Sequence, residues 1–472
     1  CNFYYNNKNV VNYQWSGSST IRIIRGNKFS FNGNSDDYGD ANLLQIDYAE
    51  ISNNIFSNNT GNSNQGCYVI KGNHNRIYNN QIINNEKAMV RVQNSRTFSN
   101  IFYNNNIGNN GLIDFDYGIE TSDSVYYNLF VNNSGGSVFH IDDIDGGYIK
   151  NNIIAGNEGS TIIQLGYGGD DNFNFSHNSI INNVGRVFYL QYPQGIVNVN
   201  NNLLSNNTSS EPMIEIYVHT SWDYSQFDFT YNNLMDNNAS SYFAWGGNDF
   251  EVINVYWGTV VASEIQNLIW DWYDNPTLGI IDYDPWLTEP NTDAPISPPA
   301  NVAKQISGSD VILTWDANPE SDVAGYKIHY GNFTGYSYTT NTDLGNVTTY
   351  TLSGVSIDSN IAVTAYDGNA NGTDDQVQGY QSWFSFAGDP TPSMTLSASS
   401  LDFGAVQTSQ SSTLNVTIGN DGTADLTVTD ITSSNGYYTV SPTAFTVVAG
   451  ESQVVAVLFA PDENSVESGT IT

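Results

Sequence analysis

The sequence predicts an all-β protein in which a parallel β-helix solenoid of about ten coils precedes two β-sandwich domains. Three observations lead to this prediction. A motif Asn-x-Φ-x-Asn-Asn, in which Φ is apolar, recurs through the first half of the chain. Segments of alternating apolar and polar residues accompany the motif, and the period disappears beyond a Pro-rich stretch.

The motif returns every 23 to 31 residues, measured between the last Asn of successive copies. The clearest copies lie at 54–59, 80–85, 128–133, 178–183, 202–207 and 233–238, and looser copies end at Asn7, Asn32, Asn110 and Asn157. A period in this range with β-rich units is typical of a solenoid. Asn favours turns because its side chain bonds to nearby backbone and tolerates left-handed conformations. Equivalent Asn residues on successive coils could also bond to one another as ladders.

Each coil holds a second alternating segment, for example Val90-Arg-Val92, Ile113-Asp-Phe115 and Phe139-His-Ile141. Such segments predict short strands rather than helices, because β-branched and aromatic residues alternate with polar ones and Asn and Gly are frequent. The outer apolar residues of each segment should point into the core, and the middle residue should face outward.

The repeat resembles the right-handed parallel β-helix of the pectate-lyase-like superfamily, in particular the bacterial β-helix repeat proteins, and the right hand is implied by that resemblance. At 254–287 the chain contains Trp257-Gly258, apolar residues at helical spacing (Ile265, Leu268, Ile269 and Trp272) and then Asp-Pro-Trp286. This stretch looks like the C-terminal cap of the same family, which would cover the open end of the core.

We expect the capped β-helix to span 1–287, and a Pro-rich, semi-rigid linker to span 288–299. Residues 300–388 resemble a fibronectin type III domain. Its strands are expected at 311–315, 323–330, 350–355 and 361–366, with a buried Trp315. Ser359 stands where that family places its corner Tyr, so the hydrogen bond of the corner is expected to be missing or replaced.

Residues 393–472 are similar to the Hydin-type immunoglobulin-like domains of bacterial surface proteins, through Leu401-Asp-Phe-Gly404, the segment 414–422 and the segment 457–461. We expect the chain to begin inside the solenoid and to stop before the last strand of this domain. The resemblances together imply a bacterial protein that is secreted or lies on the cell surface.

The chain is strongly acidic, with 48 Asp and Glu against 13 Lys and Arg and a net charge of −35. This balance argues against a nucleic-acid partner. No apolar run is long enough to span a membrane, and we expect a monomer. The first 96 residues carry nine basic and six acidic residues, a net charge of about +3, and could therefore hold an anionic polysaccharide. Cys1 and Cys67 are expected to be buried free thiols, since they lie more than two coils apart.

The outward residues of the second segment should form columns with a rung about every 4.8 Å. One column is expected to contain Gln14, Gln45, Val69, Arg91, Asp114, His140, Gln164, Tyr189, Glu215 and Ala244. A second is expected to contain Ser16, Asp47, Lys71, Gln93, Asp116, Asp142, Gly166, Gln191, Tyr217 and Gly246. The candidate catalytic residues are the charged members of the middle rungs: Lys71, Arg91, Asp114, Asp116, His140 and Asp142. The candidate substrate-binding residues are tyrosines whose flat rings could contact sugars: Tyr117, Tyr167, Tyr189 and Tyr192.

Two reactions fit such a face. In glycoside hydrolysis, Asp116 and Asp142, one rung apart, could supply the closely spaced carboxyl pair of a retaining enzyme. In a polysaccharide lyase, Arg91 or Lys71 could remove the proton beside a uronate while the aspartates hold calcium. The alternative is a non-catalytic adhesin or surface-structure protein, in which these residues decorate a solvated sheet.

Calcium is the one cofactor that the sequence suggests. Asp367-Gly-Asn-Ala-Asn-Gly-Thr-Asp-Asp375 resembles a calcium loop, but Gln378 occupies the twelfth position, which normally supplies a bidentate Glu. The remaining histidines lack metal-ligand spacing and are interpreted as structural: His74, His177, His219 and His329.

Overall fold

The structure is a computed structural model that describes residues 1–4, 11–13, 21–32, 41–60, 67–107, 111–115, 118–168, 172–191, 196–217, 227–246, 249–307 and 309–472. The chain divides into two compact units, one of residues 1–298, 318–346 and 364–384 and one of residues 299–317, 347–363 and 385–472. In the described ranges the helices are α1 (Ala262–Asn267) and α2 (Asp375–Gln378). No described helix is long and apolar enough to cross a membrane.

Three parallel sheets wind into a β-solenoid, which confirms the predicted fold class; strands are numbered in chain order, and each sheet is given as the strands that the described residues form. Sheet 1 has ten strands: β1 (Asn2–Tyr4), β4 (Lys28–Ser30), β7 (Ile55–Ser57), β10 (Gln81–Ile83), β13 (Ile101–Tyr103), β18 (Leu129–Val131), β21 (Ile153–Ala155), β24 (Ser179–Ile181), β27 (Leu203–Ser205) and β30 (Asn233–Met235).

Sheet 2 contains the second alternating segment of each coil and has thirteen strands: β2 (Val11–Tyr13), β5 (Ala41–Ile46), β8 (Cys67–Asn73), β11 (Glu86–Gln93), β14 (Asn106–Ile107), β15 (Ile113–Phe115), β16 (Ile119–Glu120), β19 (Phe139–Asp145), β22 (Glu158–Gly168), β25 (Val184–Gln191), β28 (Ile214–Tyr217), β31 (Phe243–Trp245) and β33 (Ile269–Trp270). Sheet 3 has nine: β3 (Arg22–Arg25), β6 (Ala49–Ser52), β9 (Arg76–Tyr78), β12 (Arg96–Phe98), β17 (Ser124–Tyr126), β20 (Tyr148–Lys150), β23 (Phe173–Ser176), β26 (Val197–Asn200) and β29 (Phe227–Thr230).

Two ladders of Asn side chains, all buried except the half-buried Asn27 and Asn237, run through the turns on either side of sheet 1. In one rung, Asn85 donates to Oδ1 of Asn105 from both its backbone N, at 3.1 Å, and its Nδ2, at 2.9 Å. The same Nδ2 donates to the backbone oxygen of Phe56 at 2.9 Å. The ladder before sheet 1 contains Asn27, Asn54, Asn80, Asn100, Asn128, Asn152, Asn178, Asn202 and Asn232. The ladder after it contains Asn32, Asn59, Asn85, Asn105, Asn133, Asn157, Asn183, Asn207 and Asn237.

Each Asn of the motif therefore has its own role, as the copy at 54–59 shows. Asn54 and Asn59 belong to the two ladders. Asn58 has a φ of 54°, a left-handed conformation that Asn adopts at low cost. Phe56, at the Φ position, is fully buried and stacks on Phe29 with ring centroids 4.7 Å apart.

Two predicted copies of the motif were wrongly placed. The ladder residue of the fifth coil is Asn105, which ends a complete copy at 100–105, and not Asn110. In the last copy the ladder residue is Asn237 and not Asn238. Leu234 is fully buried and occupies the Φ position, and this fixes the alignment of the last copy with the motif.

The last coils close over the C-terminal end of the core. Trp257 is 1% exposed and belongs to the same buried cluster as Ile265 and Ile281. Helix α1 is shorter than the apolar spacing suggested, because Ile269 extends sheet 2 by pairing with Phe243. A two-stranded parallel sheet of β32 (Phe250–Glu251) and β34 (Ile281–Asp282) completes this region.

The predicted linker, 288–299, makes specific contacts. Asn291 donates from its backbone N to Oδ1 of Asn233 at 2.8 Å and from its Nδ2 to the backbone oxygen of Tyr231 at 2.7 Å. Ser297 is 3% exposed, and its backbone N donates to Oε1 of Glu320 at 2.8 Å. These contacts fix the path of the segment.

The strands after the linker form antiparallel sheets. A three-stranded sheet has the order β35 (Ala303–Ser307), β36 (Asp310–Thr314), β39 (Thr349–Ser353). A four-stranded sheet has the order β38 (Tyr338–Gly345), β37 (Val323–Phe333), β40 (Ala362–Asp367), β41 (Ser385–Phe386). The C-terminal region has a four-stranded sheet, β42 (Met394–Leu396), β43 (Ser412–Asn420), β47 (Ser452–Phe459), β45 (Tyr438–Ser441), and a pair, β44 (Leu426–Val428) with β46 (Phe445–Val447). Ile418, Ile431 and Val455 form its buried core, which fits a β-sandwich.

Cys1 departs from its prediction. It is a free thiol but is exposed rather than buried. The side chain of Cys67 lies outside the described residues.

Candidate functional site

The outer face of sheet 2 carries one continuous row of paired side chains, which are polar or aromatic except for Ala244 at its end. Each member pairs with the next across adjacent strands: Gln45, Lys71, Arg91, Asp114, His140, Gln164, Tyr189, Glu215 and Ala244. We call this set the outer row. Strands of a sheet lie about 4.8 Å apart, so the row presents one side chain at each such step.

The outer row confirms the predicted column from Arg91 to Ala244 and corrects its start. Lys71, predicted in the second column, pairs with Arg91, and Val69 does not belong to the row. Tyr68, Val69 and Ile70 are all buried, so the outward residue of this strand is Lys71, two positions after the predicted Val69. Asn12 takes the place opposite Gln45 that was predicted for Gln14, which lies outside the described residues.

The centre of the outer row is an ion pair between neighbouring strands. Arg91 donates from Nε to Oδ2 of Asp114 at 2.7 Å, with the two side chains 19% and 6% exposed. The Arg91 guanidinium also lies 4.5 Å from the ring centroid of Tyr68, and Nζ of Lys71 lies 5.0 Å from the same centroid. Tyr68 therefore holds two cations next to each other, an arrangement that ring electrostatics favour.

The electrostatics of Asp114 follow from its burial. Desolvation by burial raises the pKa of its carboxyl above the ordinary value, while the Arg91 charge and hydrogen bond act in the opposite direction. Because burial is the largest contribution, the folded protein favours the protonated form of Asp114 more than the unfolded chain does.

His140 is the next rung after Asp114. Its Nε2 lies 3.5 Å from Oδ1 of Asp142, whose side chain is 78% exposed. Its Nδ1 is buried and has no hydrogen-bond partner among the described residues. Asp142 lies in the predicted second column opposite Gly166, since the flanking residues pair Ile141 with Leu165 and Asp143 with Tyr167.

A second charged group on this face was missed from the sequence. Arg186 lies 2.9 Å from Oε2 of Glu215, and its guanidinium lies 4.8 Å from the ring centroid of Tyr189. Burial and the nearby Glu215 raise the pKa of Tyr189, so its hydroxyl remains a hydrogen-bond donor. A sequence signal was available, because Arg186 is the only basic residue between Lys150 and Lys304.

Four predicted site residues have side chains outside the described part of the structure. Asp116, Tyr117 and Tyr192 lie outside the described residues, as does the side chain of Tyr167. The predicted Asp116–Asp142 pair therefore remains a prediction.

Metal ligands do not gather in the described ranges, where no group of three or more His, Cys, Asp or Glu side chains could hold an ion. In the loop that resembles a calcium site, Asp375 accepts hydrogen bonds from the backbone N of Asn371, at 3.0 Å, and from that of Gly372. Asp367 likewise accepts from the backbone N of Asn369 at 2.7 Å. These carboxylates stabilise the turn itself.

Comparison with known proteins identifies the C-terminal region. A family model described as the HYDIN/CFA65/VesB-like, Ig-like domain matches residues 392–471. Residues 392–471 are therefore similar to this domain. The match confirms the resemblance predicted for 393–472 and agrees with the antiparallel sheets found there. No curated protein matches the chain.

Proposed function

We propose that this chain is a secreted or cell-surface bacterial protein that binds a polysaccharide along the outer face of sheet 2. The observation that supports this most strongly is the outer row itself. It places hydrogen-bond donors and acceptors on successive strands of one sheet, together with cations and a Tyr ring. A repeating ligand such as a sugar chain matches a repeating row, since equivalent groups recur at about 4.8 Å.

The contacts within the row favour binding through an already ordered surface. Arg91 is held by Asp114 and Tyr68, and Arg186 is held by Glu215 and Tyr189. Side chains that are fixed before binding lose less conformational entropy when the ligand arrives. The sugar hydroxyls would then meet charged groups whose positions the sheet has already set.

Processing of the bound chain is a further part of the proposal. Lys71 is the better candidate for the base of a lyase, because an arginine keeps its proton and Arg91 is paired with Asp114. If the chain is instead a glycoside hydrolase, the exposed Asp142 supplies one carboxyl group of the catalytic pair. Asp116 is proposed to supply the other. The two reactions differ in their products, so product analysis separates them.

The solenoid is proposed to be a right-handed β-helix of the pectate-lyase-like type, on the strength of the Asn-rich repeat and the three parallel sheets. Residues 300–388 are proposed to be a fibronectin type III domain. Supporting this, strands β36, β37, β39 and β40 lie where the resemblance placed them, and the orders β35-β36-β39 and β38-β37-β40-β41 follow that family's pattern. Lys304 donates from Nζ to the backbone oxygen of Ser359 at 3.1 Å, a contact that could replace the missing Tyr corner.

The test of the proposed function is a screen of the purified chain against neutral and uronate-containing polysaccharides, with and without calcium. Binding is measured by calorimetry, reducing ends report hydrolysis, and ultraviolet absorbance of unsaturated ends reports lyase activity. We expect D142N/Y189A to weaken binding about tenfold, since an exposed carboxylate and a ring contact are both removed. Asp228→Asn on β29 of sheet 3 is the matched charge control and should bind as the unmodified chain does.

The second candidate is a non-catalytic adhesin or surface-structure protein. It is favoured by the pairing of charges on sheet 2, where Arg91 with Asp114 and Arg186 with Glu215 neutralise each other. This alternative predicts no product from any polysaccharide and binding that survives D142N/Y189A. Unchanged binding in that variant would show that the ligand binds elsewhere than on the outer row.

A further inference from the structure

The outer face of sheet 3 carries a stack of aromatic rings that the proposed site on sheet 2 does not use. Tyr78, Phe98 and Tyr126 occupy equivalent positions on β9, β12 and β17. Their ring centroids are 5.0 Å apart at each step, with planes 4° and 6° from parallel. Tyr148 on β20 lies beside the stack, opposite Ser124 in the register, with its centroid 6.0 Å from that of Tyr126 and the two planes 39° apart. All four rings are partly exposed.

Basic side chains line this stack. The Arg76 guanidinium lies 5.8 Å from the centroid of Tyr78 and 6.0 Å from that of Phe98. Arg25 donates to the Tyr78 hydroxyl at 3.3 Å, and Nζ of Lys150 lies 4.9 Å from the centroid of Tyr148.

Arg96 pairs with Arg76 in the sheet register, so the two cations follow one another on adjacent strands. We call the whole set the cation–aromatic ridge: Arg25, Arg76, Tyr78, Arg96, Phe98, Tyr126, Tyr148 and Lys150.

The charge of the ridge is opposite to that of the chain. The six strands β3, β6, β9, β12, β17 and β20 contain five basic residues and one acidic residue, Glu50, in a protein whose net charge is −35. Glu50 contacts Arg76 at 3.5 Å and Arg25 at 3.8 Å, yet those arginine side chains remain 56% and 53% exposed. The ridge is therefore a local positive surface. It suits a polymer whose negative charges recur along the direction in which the strands stack.

We propose that the cation–aromatic ridge binds an acidic polysaccharide, a uronate polymer whose carboxylates meet Arg25, Arg76, Arg96 and Lys150 in turn. The polymer lies along the direction in which the strands stack, where successive rungs are about 4.8 Å apart. The aromatic rings hold Arg25, Arg76 and Lys150 in place and offer their edges to the sugar. This surface is on a different sheet from the outer row, so the proposal does not rest on the function proposed for sheet 2.

The ring geometry favours a polysaccharide over a nucleic acid. Proteins that bind single-stranded nucleic acid stack bases on open aromatic faces. In the ridge, the faces of Phe98 are covered by Tyr78 on one side and Tyr126 on the other. A ligand of the ridge must therefore be recognised by its charge and by contact with the ring edges. A sugar chain that carries carboxylates can make both kinds of contact.

The experiment measures binding of the full chain to polygalacturonate at low and at physiological salt, with a neutral galactan and single-stranded DNA as comparison ligands. We expect binding to polygalacturonate that weakens as salt rises, because exposed charges are screened, and no binding to the galactan. R76Q/R96Q should weaken binding about tenfold, since two exposed ionic contacts are lost. Lys28→Gln on β4 of sheet 1 removes a positive charge elsewhere and should change the affinity less than about twofold.

The remaining outcomes support or overturn the proposal for the ridge, and the first of them also tests the outer row of sheet 2. Loss in R76Q/R96Q with full binding in D142N/Y189A supports the ridge and counts against sheet 2 as the uronate site. Equal affinities for R76Q/R96Q and the unmodified chain would overturn the proposal, as would absence of polygalacturonate binding at low salt. Tighter binding of DNA than of polygalacturonate, lost in R76Q/R96Q, would assign the ridge to nucleic acid and refute it as well. Circular dichroism checks that every variant retains the β-solenoid.

Discussion

Arg91 and Asp114 pair across adjacent strands of sheet 2, with Nε donating to Oδ2 at 2.7 Å and Asp114 almost fully buried. The pair lies in the middle of the outer row, where Lys71 and His140 flank it. A buried carboxylate that loses its only strong cation keeps its desolvation penalty without compensation. The pair is therefore a structural requirement of the face as well as part of the proposed site.

We predict that Arg91→Met destabilises the solenoid by about 3 kcal/mol, because Asp114 is left as an uncompensated buried charge. R91M/D114L should recover most of this loss, since both charges are removed together. Urea denaturation of the four chains of this double-mutant cycle measures both effects. A loss under about 0.5 kcal/mol in Arg91→Met would show that the pair behaves like an exposed one.

A second prediction concerns the Asn ladders. Asn133 accepts two hydrogen bonds from Asn105 and donates to Asn157 and to the backbone oxygen of Phe102. Asn133→Ala should cost about 2 to 3 kcal/mol, because it leaves buried donors of Asn105 unsatisfied. Denaturation monitored by circular dichroism gives the change.

The neighbouring residue supplies the control for the ladder. Asn132 is exposed and has a φ of 53°, which Gly adopts readily. Asn132→Gly should therefore leave the unfolding free energy nearly unchanged. If the two variants lost equal stability, the ladder would contribute nothing beyond the turn conformation.

Close backbone approach provides a third prediction. Gly72 has a φ of 154°, and an added Cβ would lie 1.8 Å from the backbone oxygen of Ile46. Gly72→Ala must push β8 away from β5 next to Lys71, so we expect reduced stability and weaker ligand binding together. Gly26→Ala, where the φ is 68° but nothing lies within 4 Å, isolates the cost of the backbone conformation alone. Melting temperatures and binding isotherms should show a larger loss of stability and of affinity in Gly72→Ala than in Gly26→Ala.

The fourth prediction is a pH dependence from His329. Burial, helped by the Lys327 charge, lowers the pKa of His329 from 6.5 to about 4, and its Nε2 lies 2.9 Å from Oγ1 of Thr364. Between these pH values the unfolded chain binds more protons than the folded chain, so stability rises with pH through this window. The contribution of about 3 kcal/mol is fully present above pH 6.5 and is lost as the pH falls towards 4.

Hydrogen exchange of the amides of β37, measured from pH 4 to pH 7, follows this effect locally. His329→Gln keeps a group that can bond to Thr364 and removes the titration. The protection of β37 in this variant should vary less with pH than in the unmodified chain. An identical pH profile would assign the dependence to other groups.

The sequence predicted much of the candidate face but not its detailed register. The column from Arg91 to Ala244 follows directly from the alternation of apolar and polar residues, and the structure confirms it. Lys71 was assigned to the wrong column, because Tyr68, Val69 and Ile70 are all buried and simple alternation along this strand placed Val69 outward. Arg186 was missed because its partner Glu215 is 29 residues away in sequence, one coil further on.

The sequence by itself determined the class of fold, because the Asn motif and the alternation are local patterns that repeat in every coil. It also determined the immunoglobulin-like C-terminal domain, where a family model matches residues 392–471. Only the tertiary structure decided which side chains meet. The Arg91–Asp114 pair and the aromatic stack of sheet 3 join residues 20 or more positions apart. Such contacts depend on the exact length and bulges of each coil, and a shift of one residue turns a side chain to the opposite face of its sheet.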